Sequence, residues 1–264
     1  MTAPLESGSV LAPGYTVLQH LRRGSDVDVY EVWSEERACR CVAKRLRADR
    51  LGQAQPTRRL LREGRLLRRL MHLHLARAYE VVDNPPTLIL EVLTGQTLER
   101  RLLERGRLPA EEVAALGVQL CSVLHYLHRQ PLLHLDLKPS NVVCERGLVK
   151  LLDLSIARPP GRVRPGVGTR LYMAPEQARG GCVCAATDVW GLGVVLFEAA
   201  SGRRPFDSGP DGPRYPQLVG RADPLPRGRR VPSRLARVID AALDPRPEAR
   251  PALNELVAVF GTLA

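Results

Sequence analysis

Two hydrophobic periods run along this chain of 264 residues, and the change from one to the other divides it. Up to residue 93 the dominant period is two. YTVLQHL (15–21), VYEVW (29–33) and ACRCVAKRL (38–46) alternate apolar and polar positions as half-buried strands do, and RRGSDVD turns the first pair across Gly24. LARAYEVV (75–82) and TLILEVL (87–93) predict two more strands. The exception is TRRLLREGRLLRRLMHL (57–73), where Leu60, Leu61, Leu66, Leu67 and Leu70 form one helical stripe with Arg on the other face. Residues 1–13, with their Gly, Ser and Pro, read as a loose tail. A small unit of five antiparallel strands and one helix is expected over 14–93.

TGQTLERRLLERGRL (94–108) reads as a polar connector, and from Pro109 the period becomes helical. PAEEVAALGVQLCSVLHYLH (109–128) opens with Pro and two acids, as helix starts prefer. TDVWGLGVVLFEAASG (187–202) is a strongly apolar helix entered by Thr187 and Asp188. Between them, short apolar runs bracket the polar stretch HLDLKPSN (134–141), and VKLLDLS (149–155) predicts a short strand. The region 202–232 is rich in Pro and Gly and irregular. The expectation is an α+β chain with a second, larger and mainly helical unit over 94–264, no internal repeats and, within these 264 residues, nothing left over for an extra domain.

No stretch reaches the 18 apolar residues of a membrane span, and the first fifteen residues lack the charged and apolar regions of a signal peptide. A cytoplasmic location is therefore expected. The net charge of +11 permits acidic partners, but its ordinary reading is a solvated arginine-rich surface. The aromatic interleaving of single-strand binders is missing, so nucleic acid is not an expected partner. Six cysteines (39, 41, 121, 144, 182 and 184) include two C-x-C pairs but no CxxC and no His spaced for zinc, which predicts reduced thiols. Only three of the 39 basic residues are Lys: Lys44, Lys138 and Lys150. A compact ammonium kept in such a chain marks a tight site.

The polar stretch carries chemistry. A carboxylate at Asp136 can orient a hydroxyl, an ammonium at Lys138 can meet phosphate charge, and an amide at Asn141 can hold a metal ion. HLDLKPSN resembles the catalytic loop H-R-D-L-x-x-x-N of the eukaryotic-type protein kinases, with Leu135 in place of Arg. The resemblance extends in order over residues 14–264: Gly24, Lys44, Glu63, the loop, Asp153 in DLS for DFG, Ala174-Pro175-Glu176 for A-P-E, and Asp188. Lys138 and Thr169 match the serine/threonine branch.

What the resemblance implies is a two-lobed protein-kinase fold, with an ATP-binding N-lobe over 14–93 and a C-lobe over 94–264, and Mg²⁺-assisted transfer from ATP to protein Ser/Thr hydroxyls. Asp136 orients the hydroxyl and accepts its proton, Lys138 steadies the phosphoryl group, and Thr169 supports Asp136. Asn141 and Asp153 hold Mg²⁺. Lys44, positioned by Glu63, holds the ATP phosphates; Leu21, Gly24, Val29, Val42, Leu90, Glu91 and Leu93 surround the nucleotide, and Arg250 pairs with Glu176.

Three departures stand out. Arg22 and Val27 replace two of three loop glycines, with Asp26 and Asp28 adding negative charge near the expected phosphates; Leu135 replaces Arg; Ser155 replaces Gly. They leave open a pseudokinase that binds nucleotide or scaffolds partners, and a nucleic-acid-binding module rests on the arginine surface alone. Between Asp153 and Thr169 the only hydroxyl is Ser155, so the activation segment is expected to work without phosphorylation, with Arg158, Arg162 and Arg164 meeting fixed acids. Nothing in the residues singles out one substrate or an oligomeric state.

Overall fold

The period-two segments pair into one antiparallel sheet in a computed structural model that describes residues 3–209, 211–226, 228 and 231–264. Its strands are β1 (Val10–Ala12), β2 (Tyr15–Arg23), β3 (Val27–Ser34), β4 (Cys39–Leu46), β5 (Ala78–Val82) and β6 (Thr87–Leu90), in spatial order β1-β2-β3-β4-β6-β5. The sheet has six strands, not the expected five. Val10–Ala12 is not a loose tail, because Leu11 and Ala12 are apolar enough to bury against Tyr15, Tyr30 and Val32 once β2 offers an edge. The helix α1 (Ala54–Arg69) covers β5 and β6 through Leu60, Glu63, Gly64 and Leu67. Gly64 permits that approach: a Cβ there would lie 2.5 Å from Val81 Cγ2. These elements belong to a unit spanning Met1–Thr94.

The second unit, Gly95–Ala264, begins with β7 (Gln96–Thr97) and α2 (Leu98–Arg105). The polar connector thus contains a helix. Thr97 Oγ1 caps it by accepting from Arg100 N, and only Leu98 and Leu102 bury, a stripe too narrow for the periodicity to stand out. Then come α3 (Ala110–Arg129), the hairpin β8 (Val142–Glu145) and β9 (Leu148–Leu151), the short pair β10 (Gly161–Arg162) and β11 (Cys182–Val183), and the five-residue α4 (Pro175–Arg179). α5 (Ala185–Ser201) is buried along nearly its whole length, with Trp190 and Phe197 fully enclosed, and packs against α3 and α6 (Ser233–Ala242). α7 (Leu253–Phe260) closes on α3. Among the described residues no helix is long and apolar enough to cross a membrane.

Candidate active site

Beneath the polar loop lies a buried carboxylate. Asp188, in the first turn of α5, accepts from His134 N at 2.9 Å and Leu135 N at 2.8 Å, and its Oδ2 lies 2.8 Å from His128 Nε2. These bonds hold Leu135 in a left-handed conformation, φ 65°, which costs a non-glycine residue about 1–3 kcal/mol. His134 accepts from Asp136 N on Nδ1 (3.2 Å), and its Nε2 lies 3.0 Å from the Leu152 carbonyl. Asp136 is thereby turned outward from a rigid base.

Above that base four side chains meet. Asp136 Oδ1 accepts from Thr169 Oγ1 at 2.6 Å, and Oδ2 accepts from Lys138 Nζ at 2.7 Å. Lys138 Nζ also donates to Thr169 Oγ1 at 2.8 Å. Asn141 Nδ2 donates to the Asp136 carbonyl at 2.9 Å and to its Oδ2 at 3.2 Å, which turns the Asn141 amide oxygen away. Leu152 N donates to the Asn141 carbonyl, so Asp153 follows one residue beyond this rung. Asp153 has φ 67°, and its Oδ1 accepts from Ser155 N at 3.0 Å.

Thr169 arrives through Gly168, whose φ of 125° is a glycine conformation; a Cβ there would lie 3.0 Å from the Leu135 carbonyl. Gln177, which sequence reasoning missed, donates from Nε2 to the Leu135 and Val167 carbonyls at 2.9 and 2.7 Å. The signal for it was faint: one amide after A-P-E. Asp188 was noted only as a motif position.

Arg158, Arg162 and Arg164 do not meet acids: among the described residues none lies within ion-pairing distance of them. The segment is held by backbone and apolar contacts instead. Arg158 exchanges both backbone bonds with Leu133, and Gly161–Arg162 pairs with Cys182–Val183. Leu135 packs with Leu133, Val163 and Val183, and with the partly buried Ile156 and Val167. A leucine in place of the usual arginine therefore completes an apolar cluster. Glu176 and Arg250 form the expected pair, bidentate at 2.7 and 2.9 Å, and Thr187 Oγ1 also donates to Glu176.

In the first unit Lys44 Nζ donates to Glu63 Oε1 at 2.6 Å, with the carboxylate almost fully buried. Strand register sets Val29 opposite Lys44 and Val42 opposite Leu90, so Val29, Val42, Lys44 and Leu90 share one face of the sheet. Gly24 makes the turn, accepting Arg47 Nη1 on its carbonyl and donating to the Val27 carbonyl at 2.8 Å. Leu21 sits at a bulge and is half-exposed. Glu91 N donates to the Arg77 carbonyl, and Leu93 is half-buried.

The acids of this hairpin do not charge the Lys44 face. β3 begins at Val27, so Asp28 points to the face opposite Val29, where Arg23 binds both its oxygens at 2.9 Å and His20 lies at 3.2 Å. The Arg23 guanidinium, and then His20, hold the Asp28 carboxyl below its ordinary range against the opposing effect of burial. Asp26 lies 3.8 Å from Arg59 and 4.0 Å from Arg50.

The protein kinase domain family matches residues 15–259. CBL-interacting protein kinase 4 of Oryza sativa subsp. japonica is 34% identical over 267 residues, covering 95% of this chain and 58% of its own length. The DNA damage-responsive serine/threonine-protein kinase RqkA of Deinococcus radiodurans is 32% identical, covering 99% of this chain and 41% of its own length. For the serine/threonine-protein kinase PkaA of Streptomyces coelicolor the figures are 34%, 81% and 41%. The chain spans about half the length of these curated relatives. With the site geometry and these matches together, the chain belongs to the protein kinase family, as a serine/threonine-type catalytic domain.

Proposed function

We propose that this chain transfers the γ-phosphoryl group of ATP to serine and threonine hydroxyls of a protein substrate, in the cytoplasm. The observation that carries the reading is the convergence of Lys138, Asn141 and Thr169 on Asp136, on a loop fixed from beneath by Asp188. Asp136 receives the substrate hydroxyl, aligns its oxygen and accepts its proton as the P–O bond forms. Lys138 faces the transferred phosphoryl group with an ammonium already oriented by Asp136 and Thr169. Lys44, steadied by Glu63, holds the nucleotide phosphates; Leu21, Gly24, Val29, Val42 and Leu90, with the backbone of Glu91 and Leu93, surround the rest.

An amide oxygen and a carboxylate are the hard donors Mg²⁺ takes, so Asn141 and Asp153 fit that ion. When bound, Mg²⁺ supplies neutralisation of phosphate charge. Three of the features that suggested a non-catalytic scaffold have a structural account: Leu135 completes an apolar cluster, Ser155 donates its backbone to Asp153, and the hairpin acids are paired with arginines. The test is incubation with labelled ATP, Mg²⁺ and a basic protein acceptor, followed by phosphoamino-acid analysis. Label on Ser or Thr, lost in Asp136→Asn, is expected; no label, or equal label in the variant, overturns the proposal.

A further inference from the structure

One side chain holds the tip of the β2–β3 hairpin from a single side. Arg47, just past the end of β4, is buried. Its Nη1 donates to the Gly24 carbonyl at 3.1 Å and to the Ser25 carbonyl at 3.3 Å, and its backbone N donates to the Asp26 carbonyl at 2.9 Å. The other edge of the guanidinium fork, Nε and Nη2, donates to the two oxygens of Asp49 at 2.9 and 2.7 Å. Three consecutive hairpin carbonyls thus point at one residue, and the bidentate bond to Asp49 fixes the direction of its fork.

A trans peptide is planar, with its N–H antiparallel to its C=O. Drawing the Gly24 and Ser25 carbonyls toward Arg47 therefore turns the Ser25 and Asp26 N–H groups the opposite way. Among the described residues neither of these N–H groups meets a hydrogen-bond acceptor. The sheet sets the direction. Arg47 stands an odd number of residues beyond Lys44, so alternation puts it on the far face, where Arg23 binds Asp28 and also feels the charge of Asp49. The two N–H groups are accordingly turned to the Lys44 side. Successive N–H groups facing one way form a nest, a concavity that takes an anion. The acid at the tip, Asp26, is offset by Arg59 at 3.8 Å and Arg50 at 4.0 Å. Neither Ser25 nor Asp26 has a positive φ, so the arrangement needs no glycine at either position.

We propose that Arg47, locked by Asp49, is a positioning residue for phosphate binding: it clamps the carbonyls of the hairpin tip and so presents the Ser25 and Asp26 N–H groups to the phosphates of ATP. Arg47 acts through the backbone and touches no reacting atom. The clamp imposes one orientation on a hairpin that keeps a single glycine of three. The inference rests on the reading of this chain as an ATP-dependent enzyme.

Three variants of the full chain separate the contributions. Arg47→Met removes the fork and keeps an apolar stem, Arg47→Lys keeps the charge and loses the fork, and Asp49→Asn loosens the fork while leaving it in place. Circular dichroism checks folding, and calorimetry measures binding of Mg-ATP, of inorganic tripolyphosphate and of adenosine. Both Arg47 variants are expected to bind ATP and tripolyphosphate about tenfold or more weakly, with a smaller loss in Asp49→Asn. Adenosine, which carries no phosphate, is expected to bind within about twofold of the parent. In turnover the KM for ATP rises by a larger factor than kcat falls. Amide exchange at Ser25 and Asp26 is slowed by tripolyphosphate in the parent and not in Arg47→Met. Parent-like ATP binding in Arg47→Met overturns the clamp, and so does parent-like binding in Arg47→Lys, which would make the effect one of charge alone. Equal loss of adenosine and ATP, the mark of a merely structural residue, overturns it as well. A parent that binds tripolyphosphate as expected but transfers no phosphoryl group sinks the transfer reading and leaves the clamp supported.

Discussion

The β2–β3 hairpin and the catalytic loop are both short polar turns, yet one has drifted from the family pattern and the other has kept nearly every group. The hairpin retains Gly24 alone of its three glycines and buries Asp28 under Arg23 on the far face of the sheet. The catalytic loop retains Asp136, Lys138 and Asn141, with Lys138 and Asn141 both bonded to the Asp136 carboxylate. The difference teaches where identity matters. A loop over phosphates acts through backbone N–H groups, which any residue that adopts the turn supplies; a proton acceptor, an ammonium and a metal-binding amide act through side chains, and no neighbour replaces them.

The sharpest way to break this comparison is to change one atom in the catalytic loop. Asp136→Asn keeps the shape and removes the proposed proton acceptor, so kcat is expected to fall at least about 10²-fold while the thermal midpoint stays within a few degrees. Measurable transfer at the parent rate would mean that the loop's side chains are as replaceable as the hairpin's.

Next in size is the one place where the catalytic loop itself departs from the family. Leu135→Arg restores the family's residue, yet it places a guanidinium into the apolar Leu133, Val163 and Val183 cluster. A loss of about 3–5 kcal/mol is expected from an uncompensated buried charge, read by urea denaturation. Because the same cluster packs the activation segment without a phosphate, the expectation is that the segment works unphosphorylated. Protein dephosphorylated to homogeneity, verified by intact mass, is expected to give a linear progress curve from the first minute; a lag abolished by pre-incubation with ATP, with phosphate mapped to residues 155–170, would contradict it.

Smaller effects belong to the hairpin. Asp28→Asn removes the partner of Arg23 and is expected to cost about 1–2 kcal/mol of stability while leaving ATP KM within about twofold, because the side chain is on the opposite face from Lys44. Its pH dependence has a definite sign. The folded carboxyl titrates below its ordinary value of 3.8, so its contribution is fully present above that value and is lost as pH falls through the lowered one. Parent and variant should therefore converge in stability at the acid end. Smallest is Val27→Gly, which restores a family glycine: ATP KM should move by less than about threefold, since Gly24 already makes the turn. A large gain in affinity would show that side chains in this hairpin do obstruct the phosphates.

Much was legible from residue order alone. Alternation marked the strands, the leucine stripe marked α1, and the catalytic loop with Lys44, Glu63, Asp153 and A-P-E marked the family, because those positions need particular functional groups at particular separations. Strand β1 and helix α2 were not legible: three and eight residues long, they carry too few apolar positions to show a period, and they form because Tyr15 and the β7–β8 pairing give them something to pack on. The side on which a charge falls was also decided by tertiary structure. Asp28 sits next to the expected phosphate site in sequence and faces away from it in space, because β3 starts two residues earlier than the alternation suggested. Leu135 read as the loss of an arginine; only the meeting of residues 133–135 with 156–183 shows what it does, since an apolar cluster is made by segments distant in the chain and no local pattern announces it.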